Sequence, residues 1–224
     1  MSGPQVRTAR RQLGLTQQQA ARRWKMSQTY VSLVERGQRP VPPRLARLLA
    51  ATEPAMATGL PLEGPDLRTE DLPRLLGSLG YPGFEYLAEP RSVANPALVV
   101  LAALRSPEVS ARVVEALPWV LLEFRDLDWG WLLDQAKLAN LQNRLGFVVT
   151  LAREVAERTH DASAVEKLEQ AERTLSDARL AREDTLGRKV TQPERTGLLA
   201  HRPAAAAYWN VLTRLQAADL RYAP

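Results

Sequence analysis

The chain has 224 residues, 45% of them hydrophobic, a net charge of +5, no cysteine and two histidines. That length and apolar share suit one large domain or two modest ones, and the missing cysteine excludes a disulfide framework or a thiolate metal site. His160 and His201 lie far apart in sequence, so each is expected at the surface or as a satisfied polar group, and neither a metal nor a cofactor is expected. No window approaches the ~20 apolar residues of a membrane helix, and the opening Met-Ser-Gly-Pro-Gln does not lead into an apolar run. A cytoplasmic protein without membrane contact is expected.

The first helix is predicted over residues 5–13, with Val6, Ala9 and Leu13 inward and Arg7 and Arg11 outward, ended by Gly14. The stretch TQQQAARRWKMSQTYVSLVERG, residues 16–37, then reads as a helix-turn-helix. Thr16 is placed to cap a helix, with Gln19 closing a capping box, and Ser27 repeats the capping role after Lys25 and Met26. Ala20, Ala21 and Trp24 share one inward face, as do Val31 and Val34 in the second helix. Gln28 and Thr29 take the first outward turn of that second helix, and Ser32, Leu33 and Arg36 extend the same side. Such a helix start fits a major groove, where a Gln amide can pair with the N6 and N7 edge of adenine and Thr can touch a thymine methyl.

Arg10, Gln17, Ala21, Val31, Glu35 and Gly37 stand as they do in the Cro/CI-like (xenobiotic response element type) DNA-binding domains of bacterial and phage repressors, which the segment 5–51 resembles. The resemblance implies a lambda-repressor-like fold in which Gln17 bonds a phosphate, Gln28, Thr29, Ser32 and Leu33 face the bases, and Arg10 pairs with Glu35. Lys25 stands where this family commonly has glycine, and lysine can take the left-handed conformation there at modest cost. Arg11, Arg22, Lys25, Tyr30, Arg36, Arg39 and Arg44 are expected to hold phosphates, Arg39 and Arg44 flanking a proline-rich loop that could equally be solvated.

Charge supports this reading. Residues 1–52 carry ten Lys and Arg against one acid, Glu35, a net of +9, whereas the remainder carries twenty basic and twenty-four acidic residues, a net of −4. A positive field concentrated on the motif is the footprint of a phosphate-binding surface and not of a bundle with evenly solvated charges.

Residues 44–51 close the small core with Leu45, Leu48 and Leu49, and residues 53–68, rich in Pro, Gly, Ala and Thr, read as a linker. Helix starts are predicted at Thr69, Asn95-Pro96, Ser106-Pro107 and Asp128. The apolar runs 98–104 and 120–124 are predicted as buried helix, and residues 141–157 as an amphipathic helix. Residues 161–186 are predicted as a long charged helix with a thin seam of Val165, Leu168, Ala171, Leu175 and Ala178, either an arm against another protomer or a solvated helix. The tail has a turn at Gln192-Pro193 and a final helix holding Tyr208, Trp209, Val211, Leu212 and Leu215. Trp119, Trp129, Trp131 and Trp209 are expected in the core.

No glycine-rich phosphate loop, nucleophile elbow or zinc spacing is present. The acid pairs Asp126/Asp128 and Glu183/Asp184 fit helix starts better than a metal, so no enzyme is expected. WLLDQAKLANLQNRLGFV (131–148) and AYWNVLTRL resemble the C-terminal region of antitoxin regulators that act beside AbiE-type nucleotidyltransferase toxins, which implies a toxin or other partner protein for the larger domain. The expected protein is all-α: a DNA-binding domain (1–52), a linker (53–68) and a helical dimerisation or partner-binding domain (69–224). It is expected to bind double-stranded DNA as a homodimer and act as a repressor.

Overall fold

The computed structural model describes residues 3, 6–7, 10, 15–50, 57–62, 67–89 and 94–222, without the side chains of 47–50. The described residues are mostly helical, with one isolated bridge between Asp184 and Val211 and no strand among them. They form two compact units, Met1–Met56 and Ala57–Pro224. Among them no helix is long and apolar enough to cross a membrane.

The first unit holds α1 (Gln17–Trp24), α2 (Gln28–Glu35) and α3 (Pro43–Ala50). Before them Gly3, Val6, Arg7 and Arg10 are helical. Gly3 is thus helical two residues ahead of the start predicted at Gln5, while Ala9, Arg11, Leu13 and Gly14 lie outside the described residues. Both predicted caps are made: Thr16 accepts from the Gln19 amide at 3.2 Å while the Gln19 side chain takes the Thr16 N–H at 2.8 Å, and Ser27 accepts from the Tyr30 amide at 3.1 Å. Val6, Ala20, Ala21, Trp24, Val31, Val34 and Leu45 make one core, as the helical spacing requires; Leu48 and Leu49 fall among the side chains not described. Gly37, at φ +73°, ends α2. Its N–H bonds the Val34 carbonyl and that of Gln38 the Leu33 carbonyl, both at 2.9 Å, a left-handed stop for which glycine is the cheapest residue.

The second unit comprises α4 (Leu72–Ser78), α5 (Pro96–Arg105), α6 (Ala111–Glu123), α7 (Trp129–Leu138), α8 (Gln142–Arg158), α9 (Ala162–Ser176), α10 (Gln192–His201) and α11 (Ala204–Tyr208). Its axis is α8, buried along most of its length, with α6, α7, α9 and α11 against it. Asn95 and Asp128 cap α5 and α7 as predicted, accepting from the Ala97 and Trp131 amides at 2.9 Å each. The two apolar runs are helix, in α5 and α6. Trp119 and Trp209 are buried and Trp129 and Trp131 half-buried against the core. Part of the stretch predicted as linker belongs here: Ala57 is buried in this core, and the Asn95 carboxamide holds the Thr58 and Leu60 carbonyls.

Five predicted elements differ. Thr69 does not cap; it lies inside a 3-10 turn (Thr69–Asp71) and bonds the Ser106 hydroxyl. Ser106 ends α5, and α6 begins only after Ser110, whose hydroxyl takes the Val113 amide. The charged helix stops at Ser176, not near residue 186. Beyond it the Gln142 and Asn143 amides of α8 take the Ala178 and Leu180 carbonyls at 3.0 and 2.9 Å, so the chain is drawn across α8 in place of further helical bonding. Its apolar seam, Leu168, Ala171 and Leu175, is buried in its own unit, so it is not an arm against another protomer. Gln192-Pro193 begins a helix instead of a turn, since the Glu194 carboxylate takes the Thr191 N–H and hydroxyl. The last helix ends at Tyr208, because Trp209 turns into the core and Val211 pairs with Asp184.

Candidate nucleic-acid interface

The turn between α1 and α2 is set by Lys25. Its φ of 54° and ψ of 51° are left-handed, and the Lys25 and Met26 amides close onto the Arg22 and Ala21 carbonyls. A residue with a Cβ gives up about 1 kcal/mol in that conformation. Lys25→Gly is expected to raise the melting temperature of the unit; an unchanged or lower value would show that the strain is negligible against the chain entropy glycine adds.

With both helices capped and their inner faces buried, the outer face of α2 is left to solvent. Gln28 and Thr29 are exposed, and Ser32 and Leu33, further along, are half-buried. Arg22, Lys25, Arg36, Arg39 and Arg44 are exposed and Tyr30 is half-buried against the core. The Arg36 guanidinium folds onto the Ser32 carbonyl at 3.2 Å. Arg11 lies outside the described residues. Arg7 and Arg23, absent from the predicted contacts, are exposed as well; Arg23, in the last turn of α1, was legible from the same basic run as Arg22.

Behind this face lies a polar network. Arg10 grips the Glu35 carboxylate at both oxygens, at 2.5 and 3.2 Å, and reaches the Leu15 carbonyl at 2.6 Å. The Glu35 side chain is 2% exposed and that of Arg10 11%. Burial by itself would raise the Glu35 carboxyl, but the Arg10 and Gln17 hydrogen bonds and the Arg10 charge outweigh it and hold the group below the usual glutamate range. Gln17 is the member that sequence reasoning placed elsewhere. Its amide donates to Glu35 at 2.9 Å, which leaves the second N–H of that amide and the backbone N–H at the helix start for a phosphate.

Three of the four paired acids have structural partners. Asp128 caps α7, Asp184 is gripped by Arg144 at 2.8 Å, and Glu183 by Arg195 at 2.5 Å. Among the described residues no cluster of three His, Asp or Glu could hold a metal.

Residues 3–58 match a family model described as a helix-turn-helix domain. No curated protein and no solved structure matches the chain. The match covers the unit that carries the capped α1–α2 pair and the exposed cations, and it supports a DNA-binding regulator built on an N-terminal helix-turn-helix domain.

Proposed function

We propose that the chain is a sequence-specific transcriptional repressor of the Cro/CI-like type that binds operator DNA as a homodimer. In this reading α2 enters the major groove, Gln28, Thr29, Ser32 and Leu33 read bases, and Gln17, Arg22, Lys25, Tyr30, Arg36, Arg39 and Arg44, with Arg11, hold phosphates. The observation that carries it is the exposed start of α2, Gln28 and Thr29, set among exposed cations on a unit whose ion pair Arg10–Glu35 is turned inward. One such module makes few base contacts, so pairs acting on inverted half-sites about one DNA turn apart supply affinity and symmetry. Phosphate contacts set the register and the α2 side chains choose the sequence.

Gln28→Ala is expected to cost about 1–3 kcal/mol at the cognate site and little on random duplex. Anisotropy titrations on both DNAs check this, and equal losses would reject base reading by Gln28. Lys25→Ala keeps the left-handed residue non-glycine and removes its charge, so affinity should fall alike on all sequences and the salt slope become shallower by about one. An unchanged slope would remove Lys25 from the phosphate contacts.

A second reading makes the larger unit an antitoxin-type domain that binds a partner protein, a toxin for instance, while the first unit represses a shared promoter. It rests on the resemblance of the runs 131–148 and AYWNVLTRL, which meet where Trp209 lies over Gly146, to the C-terminal region of such regulators. Co-purification of a second polypeptide in stoichiometric amount tests it, and its absence when both neighbouring genes are expressed together would count against it.

A further inference from the structure

The second unit carries two apolar side chains that its core does not use. Tyr86 is 72% exposed and Leu138 77%, the two highest values among its large exposed apolar residues; the charge near Tyr86 is mainly acidic and that near Leu138 mainly basic, the exposed Asp134 one turn before Leu138 being the exception. Tyr86 and Leu87 lie within residues 85–89, EYLAE, five consecutive exposed positions. Glu85 has no ion-pair partner among the described residues, and Glu89 shares Arg74 with Asp71. Leu138 ends α7. Lys137 precedes it, Arg105 reaches Gln135 one turn back at 3.4 Å, and Arg182 donates to the Asn140 carbonyl at 3.1 Å. Among the described residues these three cations meet neutral acceptors or solvent and no carboxylate.

We infer that two copies of the chain associate through these patches, the acidic one around Tyr86 of each copy seated on the basic one around Leu138 of the other. The inference rests on the dimeric reading above and names the surface that makes the dimer. A two-fold axis forms the contact twice, and so moves a small patch toward the ~1,000 Å² that a specific interface needs. Opposite charge sets the pairing and its register, and the two apolar side chains gain from leaving water. A nucleic acid on the basic patch would reward its cations but not an exposed leucine at its centre, and it would be repelled by the acidic patch.

Sedimentation velocity on the full chain tests this with Glu85→Lys and with the double variant Arg105→Glu/Arg182→Glu, all at exposed positions, circular dichroism confirming that each folds. Each variant alone should raise the dimer dissociation constant at least tenfold. An equimolar mixture should regain the native dimer, since the reversed patch of one variant meets the reversed patch of the other and the second contact joins two native patches. Tyr86→Ser and Leu138→Ser, which leave charge untouched, should weaken the dimer similarly. A monomeric native protein would overturn the dimeric reading and this inference together. A native dimer that neither charge variant weakens, or a mixture that fails to regain it, would overturn the inference alone, as would native assembly beyond the dimer. So would a double variant that keeps its dimer and loses affinity for random duplex, which would assign the basic patch to nucleic acid.

Discussion

Replacing Glu35 by alanine is expected to destabilise the first unit by about 3 kcal/mol, the lower end of the range for breaking a buried ion pair. The Glu35 side chain is 2% exposed and Arg10 11%, so truncation leaves a guanidinium in the interior with only the Leu15 carbonyl to bond. For a unit this small, such a loss is a large part of its total stability. Because only an unpartnered charge is this costly, Arg10→Met/Glu35→Leu should recover most of the loss. Chemical denaturation followed through Trp24, buried in this core, would check both, and a double variant as unstable as Glu35→Ala would contradict this origin. The pair also sets a pH dependence. The folded carboxyl lies below its ordinary value of 4.5, so its contribution is complete above that pH and is lost as pH falls through the folded value. The Glu35→Leu double variant should lose less stability over that acid range than the native protein.

The largest effects in the second unit are expected where Gly146 meets Trp209. A Cβ there would stand 2.4–2.5 Å from three atoms of the Trp209 ring, and Trp209 is wholly buried with its indole N–H on the Thr150 hydroxyl at 2.8 Å. That hydroxyl in turn donates to Glu172, which also receives Arg153, each at 2.6 Å, so the indole cannot shift without disturbing an interhelical network. In an open helix Gly→Ala would stabilise by about 1 kcal/mol. Here the clash reverses the sign, and Gly146→Ala is expected to destabilise by about 3 kcal/mol, the upper end for overpacking. Trp209→Ala should cost about 3–5 kcal/mol through the cavity it leaves. Since the two residues share one space, the cost of combining both substitutions should fall well short of the sum. Additive losses in urea unfolding would show that the ring is not held against Gly146.

Features that depend on neighbours in sequence were legible. The caps at Thr16, Ser27, Asn95 and Asp128 each need one oxygen and an amide two or three residues on, and the exposure of Thr29 follows from the burial of Val31 and Val34 on the opposite side of one short helix, that of Gln28 from its place at the helix's first position. Features decided from a distance were not. Ala178 fits the apolar seam of α9, yet helix ends before it because Gln142, 36 residues away, captures its carbonyl. The stop after Tyr208 is partly local, since Asn210 takes the left-handed conformation at φ 54° and the Val211 amide closes onto the Ala206 carbonyl at 2.9 Å, but the seating of Trp209 over Gly146 that accompanies it is decided from a distance. In the candidate site, Gln17 illustrates the same limit: its place at a helix start is local, but its bond to Glu35 spans 18 residues and exists only once the helices pack.

Base reading by α2 is tested most directly by dimethyl sulfate footprinting of the protein on DNA from upstream of its own gene, because the reagent reports guanine N7 in the major groove. The expected result is protection of guanine N7 positions in two symmetry-related half-sites about one helical turn apart, and Gln28→Ala, whose lost amide suits adenine, should require more protein for the same protection. Uniform reactivity of every N7 position at saturating protein would contradict it.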